Sequence, residues 1–426
     1  MPPLRSFRII FDRPSATYLS GERVSGNIIV DVYGDKHVRG VVFCAKGEAR
    51  VHWTESRSTK DSHGHNTTET VHYSNREEYF HFKYNVISTD NSRSRVTIPS
   101  GSNQYPFEFQ LPYNIPSSFE HRIGQIRYTV KVVIDRPWKF DHECKAAFTV
   151  VSSLDLNEHR HNCLGIDDEA KKDFCCCCVN VGSMSVRISL PSTGFVPGQV
   201  INTRYDYENS SDSVKIEALC TKLVQKMTFH ATSKSKDETS PIISTKTSGH
   251  IPDRGQYTAE LRIPPIAPSN LLHCRIIDLV YQTVATVHVS GPHTRIERSY
   301  PVLIGTVPLY CPPSAPPLED VNVAPPNPTK SENGPATMPA NPPPYSSLEP
   351  TAPLPGPGPS SQNIGFVDPN RPKPNWNIPP PSYEECTSGA QHIRDDDESK
   401  YVFGADNSFA PRYPVFSYPT PNVRNN

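Results

Sequence analysis

Two tetrads near the end of the chain carry its clearest chemistry: Pro342-Pro343-Pro344-Tyr345 and Pro380-Pro381-Ser382-Tyr383. Both read Pro-Pro-x-Tyr. The prolines hold the backbone in the extended polyproline II form beforehand, so little entropy is lost on docking into an aromatic-lined groove. The tyrosine fills a second pocket and fixes direction. This is the ligand chemistry of WW domains. Proline-rich segments generate such tetrads by composition, but two in one segment, each closing its proline run on tyrosine, weigh against chance. The tyrosines stand 38 positions apart (345 to 383). A flexible chain of that length spans on the order of 34 Å root-mean-square. That reach suits two WW domains on one partner, with a gain in avidity.

Two further tetrads, Pro313-Ser314-Ala315-Pro316 and Pro350-Thr351-Ala352-Pro353, fit Pro-[Ser/Thr]-Ala-Pro. This is the type of extended ligand that the UEV domain of the ESCRT machinery takes, although chance matches come more easily in a segment rich in Pro, Ala and Ser. Cys175-Cys176-Cys177-Cys178 follows Lys171-Lys172 and leaves three readings open. S-acylation would anchor this part of the chain on a membrane, one acyl chain alone being a marginal anchor. The cysteines could instead pack as small apolar residues in a strand. Zinc is the third reading, since Cys175 and Cys178 have CxxC spacing with His159, His161 and Cys163 upstream. Contiguous cysteines fit the separated ligand pairs of a structural zinc site less well, and no metal site is expected. His63, His65 and His72 sit in a polar stretch and read as solvated. No phosphate-binding loop, HExxH, GxSxG or kinase element is present. No catalytic residue and no cofactor are therefore expected, and the chain reads as a non-enzyme.

The elements that must position these motifs divide the 426 residues in two. More than half of the 45 prolines follow residue 307. Before that break the pattern is strand-like. Val24, Gly26, Ile28, Val30 and Val32 share one face, and so do Ile126, Tyr128, Val130, Val132 and Ile134. The alternation returns at Leu219 to Phe229 and at Ile277 to Val289. Nothing sustains a helical period, so the fold class is all-β, built as immunoglobulin-like antiparallel sandwiches. The expected boundaries are a first sandwich at 5–157, a linker with the cysteine cluster at 158–180, a second sandwich at 181–307 and a disordered proline-rich tail at 308–426. Residues 54–69, polar and rich in Ser and Thr, read as a long mobile hairpin loop. Trp53, Phe107, Phe109 and Trp138 read as core, and Gly21, Gly26, Gly47 and Gly198 as turn or close-packing positions. A net charge of −1 gives no global field for nucleic acid. No stretch approaches the ~20 apolar residues of a membrane helix. Met1 to Ser6 show no signal-peptide core, so the expected compartment is the cytosol, with reduced thiols.

A resemblance sharpens this reading. Phe7-Arg8-Ile9-Ile10-Phe11-Asp12, Tyr18, Gly21-Glu22-Arg23-Val24-Ser25-Gly26 and Lys46-Gly47-Glu48-Ala49 open the set. Tyr105-Pro106-Phe107-Glu108-Phe109-Gln110-Leu111-Pro112, Ile115-Pro116-Ser117-Ser118-Phe119-Glu120, Gly124-Gln125-Ile126-Arg127-Tyr128, Arg136-Pro137-Trp138 and Leu154-Asp155-Leu156-Asn157 follow. Gly194-Phe195-Val196-Pro197-Gly198, Asn209-Ser210, Ile263-Pro264-Pro265, Cys274-Arg275-Ile276-Ile277 and the run Pro301 to Pro308 complete it. In order and spacing these elements resemble the α-arrestins, the arrestin domain-containing proteins. His121 departs from the pattern, which usually has glycine there. The resemblance implies the two-sandwich arrestin fold and a cytosolic adaptor recruited to plasma membrane and endosomes. Its partners would be membrane receptors or transporters as cargo and HECT-type ubiquitin ligases with WW domains. An adaptor for ESCRT-dependent budding is the alternative reading.

Overall fold

The computed structural model describes residues 4–60, 66–88, 96–176, 179–247, 249–310, 374–375, 389–395 and 398–416. The first sandwich is built from β1 (Leu4–Phe11), β2 (Thr17–Leu19), β3 (Arg23–Val32), β4 (Lys36–Val38), β5 (Gly40–Lys60), β6 (Asn66–Ile87), β7 (Val96–Ile98), β8 (Gly101–Gln110), β9 (Phe119–Glu120), β10 (Gly124–Asp135) and β11 (His142–Val151). One sheet runs β1-β3-β8 and the other β2-β11-β10-β5-β6, with β9 on β10 and β4 paired to β7. All these pairings are antiparallel except β2 with β11, which is parallel. The alternation along β3 and β10 does what the pattern requires: Val24, Ile28, Val30, Ile126, Tyr128 and Val130 are fully buried. Phe43 meets Phe107 at 5.0 Å between ring centres. Gly47 is opposite Tyr128 in the ladder, and a Cβ there would come within 2.6 Å of that ring.

The second sandwich comprises β12 (Ile166–Cys176), β13 (Val179–Leu190), β14 (Gly194–Phe195), β15 (Val200–Asn209), β16 (Ile216–His230), β17 (Ser235–Lys246), β18 (Arg254–Arg262), β19 (Ile277–Val289) and β20 (Ile296–Ile304). Its sheets run β12-β13-β15-β18 and β14-β20-β19-β16-β17. Tyr205, Tyr281, Phe174 and Phe229 are its largest fully buried side chains. Buried residues of both sandwiches form one continuous apolar cluster. At the junction the His121 ring stacks on Phe229 at 5.0 Å, and the Asn75 amide donates to the His230 carbonyl at 3.1 Å.

Four expectations need correction. Thr54–Lys60 and Asn66–Glu69 are not a free loop: β5 and β6 pair through to Lys60 opposite Asn66, while 61–65, with His63 and His65, lie outside the described residues. The ladder runs beyond the sandwich, so neither face needs to be apolar; Thr59 and Thr67 hydroxyls meet across it at 3.1 Å. Ile166–Cys176, within the expected linker, is β12, whose Phe174 is fully buried. Trp138, read as core, is 96 % exposed, because the alternation of β10 stops at Asp135 and Pro137 turns the chain. The tail is not wholly separate either. Residues 389–395 and 398–416 pack on the sandwiches, and β21 (Pro374–Asn375) pairs with β22 (Val415–Phe416). The acidic and aromatic residues that return after the proline-rich stretch supply this docking.

Candidate functional site

The outward face of β5, β10 and β11 brings Lys46, Arg50, Lys131 and Lys145 together. In a strand, residues two apart share a face, and three neighbouring strands place these cations side by side. The C-terminal segment crosses this face. The Lys145 amide donates to the Phe403 carbonyl, and the Phe403 amide to the Glu143 carbonyl, both at 2.8 Å. This parallel bridge beside Cys144 extends the sheet by one short contact. It sets Asp395 and Glu398 over the cations. Lys145 Nζ lies 2.6 Å from Asp395 Oδ2 and 3.0 Å from Glu398 Oε2. Lys131 Nζ is 3.0 Å from Glu398 Oε1, and Arg50 Nη1 is 3.2 Å from Asp395 Oδ1. Glu48, within the row, binds Lys46 at 2.8 Å and Arg50 at 2.7 Å.

Burial alone would raise the Asp395 carboxyl, but Lys145 and then Arg50 and Lys46 outweigh it and hold it below the usual range. Glu398 is lowered in the same way: burial opposes, while the Asp395 amide, Lys145 and Lys131 favour the carboxylate. The face is thus a carboxylate-binding row satisfied from within the chain. Further on, the Tyr413 hydroxyl, in the buried interior, donates to the Ser118 carbonyl at 2.7 Å. Phe416 packs with Leu156 at the end of the first sandwich, with Cys163, and with Val196 of the second sandwich. Gly198, at φ +94°, accepts the close approach of the Phe416 carbonyl. The segment therefore ties to both sandwiches.

All eight residues of the Pro-Pro-x-Tyr tetrads, and all eight of the Pro-[Ser/Thr]-Ala-Pro tetrads, lie outside the described residues. Pro380–Tyr383 falls in the chain between two tied points, Asn375 paired with Val415 and Ala390 bridged to Phe409. Of the cysteine cluster, Cys175 is exposed at the end of β12, and Cys176 pairs with Val179; Cys177 and Cys178 lie outside. Cys163, the upstream zinc candidate, is buried against Gly194, which raises its thiol pKa. Among the described residues no group of three His, Cys, Asp or Glu side chains could hold a metal ion. Cys44 Sγ does approach His81 Nε2 at 3.0 Å. Burial pushes that thiol up, however, against the pull of nearby lysines, so it is no activated nucleophile. Among the described residues no helix is long and apolar enough to cross a membrane.

The docked segment lies within the stretch whose composition reads as disordered tail. Its signal is a return of aromatics, Tyr401, Phe403, Phe409, Tyr413 and Phe416, around the acidic run 395–398.

Comparison with known proteins agrees with this architecture. The family model for the arrestin (or S-antigen) N-terminal domain matches residues 7–157, and that for the C-terminal domain matches 180–309. The chain is 29 % identical over 323 residues to arrestin domain-containing protein 17 of Caenorhabditis elegans, covering 72 % of each chain. It is 26 % identical over 310 residues to arrestin domain-containing protein 4 of Mus musculus, again 72 % of each. It is 27 % identical over 315 residues to human thioredoxin-interacting protein, covering 71 % of this chain and 75 % of that one.

Proposed function

As the chain belongs to the arrestin family, in its α-arrestin branch of arrestin domain-containing proteins, we propose that it links membrane-protein cargo to WW-domain ubiquitin ligases of the HECT type. The observation that carries this reading is the joining of two arrestin sandwiches to two Pro-Pro-x-Tyr tetrads in one chain. The sandwiches engage cytosolic parts of receptors or transporters. The tetrads engage the ligase, which then modifies the cargo or the adaptor. The mechanism is proximity: tethering raises the effective concentration of ligase at cargo, and the adaptor supplies no chemistry. Work at plasma membrane and endosomes, in endocytosis and protein transport, follows from that role. Acylation at Cys175–Cys178 would hold the second sandwich at the membrane, and the exposure of Cys175 suits it.

A reconstituted ubiquitination reaction tests this. With ligase limiting, the full chain becomes modified, and the Tyr345→Ala, Tyr383→Ala double variant does not. Equal modification of both defeats the proposal. The paired Pro-[Ser/Thr]-Ala-Pro tetrads favour a second reading, coupling to ESCRT-dependent vesicle budding or endosomal sorting. Replacing Pro316 and Pro353 with alanine would then abolish budding while leaving ubiquitination intact.

A further inference from the structure

The turn between β10 and β11, residues 136–141, ends the first sandwich in a projecting tip. Trp138 is 96 % and Phe140 94 % exposed, the two most exposed large apolar side chains among the described residues. Aromatics of this size normally bury 150–250 Å², roughly, and dominate the surfaces they join. Here the fold holds them outward. The Arg136 amide donates to Asp141 Oδ1 at 2.9 Å, and Arg136 Nε donates to the Phe140 carbonyl at 2.7 Å. Pro137 fixes one backbone angle, and Trp138 takes φ +61°, a left-handed conformation uncommon for a bulky side chain. The tip is a set turn that displays two rings.

Basic residues flank the rings in the chain. Arg136 and Lys139 lie on the turn itself. Lys36 Nζ is 3.3 Å from His142 Nε2 at its base. Burial, then the charges of Arg136 and Lys139, lower the Lys36 ammonium pKa; burial, Arg136 and Lys36 bring His142 down to about 4. Of the local carboxylates, Asp135 is taken by Arg39 at 2.7 Å and Asp141 by the Arg136 amide. Lys139 has no ion pair among the described residues.

We propose that this tip is a membrane anchor, in which Trp138 and Phe140 enter the headgroup–acyl boundary of an anionic bilayer while Arg136 and Lys139 meet lipid phosphates. The Trp138 indole, with its polar N–H edge, favours that boundary, Phe140 adds apolar depth, and basic side chains beside them bury their stems while the charge stays among headgroups. A projecting turn of six residues cannot enclose a small ligand. It is also far below the roughly 800 Å² per partner of a stable protein interface. A bilayer asks only for depth and charge. The anchor is a weak, reversible one that acts together with cargo binding, and it uses residues distinct from those that recruit a ligase.

Co-sedimentation of the full chain with vesicles tests it, comparing phosphatidylcholine alone with phosphatidylcholine containing about 30 % phosphatidylserine. The wild type pellets with the anionic vesicles. Trp138→Ser with Phe140→Ser lowers the bound fraction at least about fivefold, and Lys139→Glu lowers it on anionic vesicles only. Trp138→Phe keeps binding. It also removes the tryptophan quenching that brominated lipids cause in the wild type, although Trp53 and Trp376 remain. Because both rings are exposed, the serine variant keeps the wild-type melting temperature and its WW binding, so this result is read independently of ligase recruitment. Equal pelleting of wild type and serine variant, or a wild type that does not pellet above a vesicle-free control, overturns the anchor.

Discussion

Lys145 Nζ lies 2.6 Å from Asp395 Oδ2, across 250 positions of sequence. Lys145 is almost wholly buried, so this pair, shared with Glu398, makes the C-terminal segment part of the first sandwich's sheet face. A buried cation left without its carboxylates costs about 3–5 kcal/mol. Asp395→Asn with Glu398→Gln therefore weakens the docked state by that order or releases the segment. Hydrogen exchange reads either result: the Lys145 and Phe403 amides, which bond across this junction, exchange faster than in the wild type. Unchanged protection would mean that the aromatic contacts alone hold the segment.

Glu120 and Arg127 form a two-bonded pair, 2.8 Å at each bond, with both side chains almost fully buried. Glu120→Ala strands the guanidinium, and urea unfolding is expected to show a loss of about 3–5 kcal/mol. Replacing both residues with apolar ones of similar volume recovers most of it.

Gly47 faces Tyr128 across the ladder with no room for a Cβ. Gly47→Ala forces that ring or Phe80 to shift. A loss of about 1–3 kcal/mol follows, read as an earlier urea midpoint at unchanged slope.

Among the described histidines with lowered pKa, His121 and His142 are the more buried and weaken the fold in acid. Burial, with Arg122 second, lowers His121; burial with Arg136 and Lys36 lowers His142 to about 4. Between the unfolded value near 6.5 and these folded values, the unfolded chain binds more protons. Stability is therefore full above pH 6.5 and falls as pH drops through the window, to about 4 for His142. The lowered Asp395 and Glu398 carboxyls extend the loss to lower pH. Melting temperatures at pH 7.5 and pH 5 check this: the fall is clear in the wild type and smaller in His121→Asn with His142→Asn.

Much of the fold was legible because one face of each core strand is buried. Val24 to Val32 and Ile126 to Ile134 alternate for that reason, and the same order of elements carried the family likeness. What escaped had no such periodicity. Thr54 to Lys60 extends a ladder into solvent, where neither face is apolar. Trp138 reads as core because an aromatic beside a strand usually is, yet Pro137 turns the chain before it. The acidic run at Asp395 and Glu398 does not name its partners, which lie far back in the chain on β5, β10 and β11. The Pro-Pro-x-Tyr tetrads are the reverse case: the ligand chemistry proposed for them is local, needs no fold, and rests on the binding experiment below.

Calorimetric titration of the full chain with a tandem WW pair from a HECT-type ligase tests the central claim most directly. The account predicts tight binding by the wild type and a loss on the order of 10²-fold with either Tyr345→Ala or Tyr383→Ala, as bivalence is lost. It predicts no detectable binding by the double variant. A double variant that binds as the wild type does would contradict it.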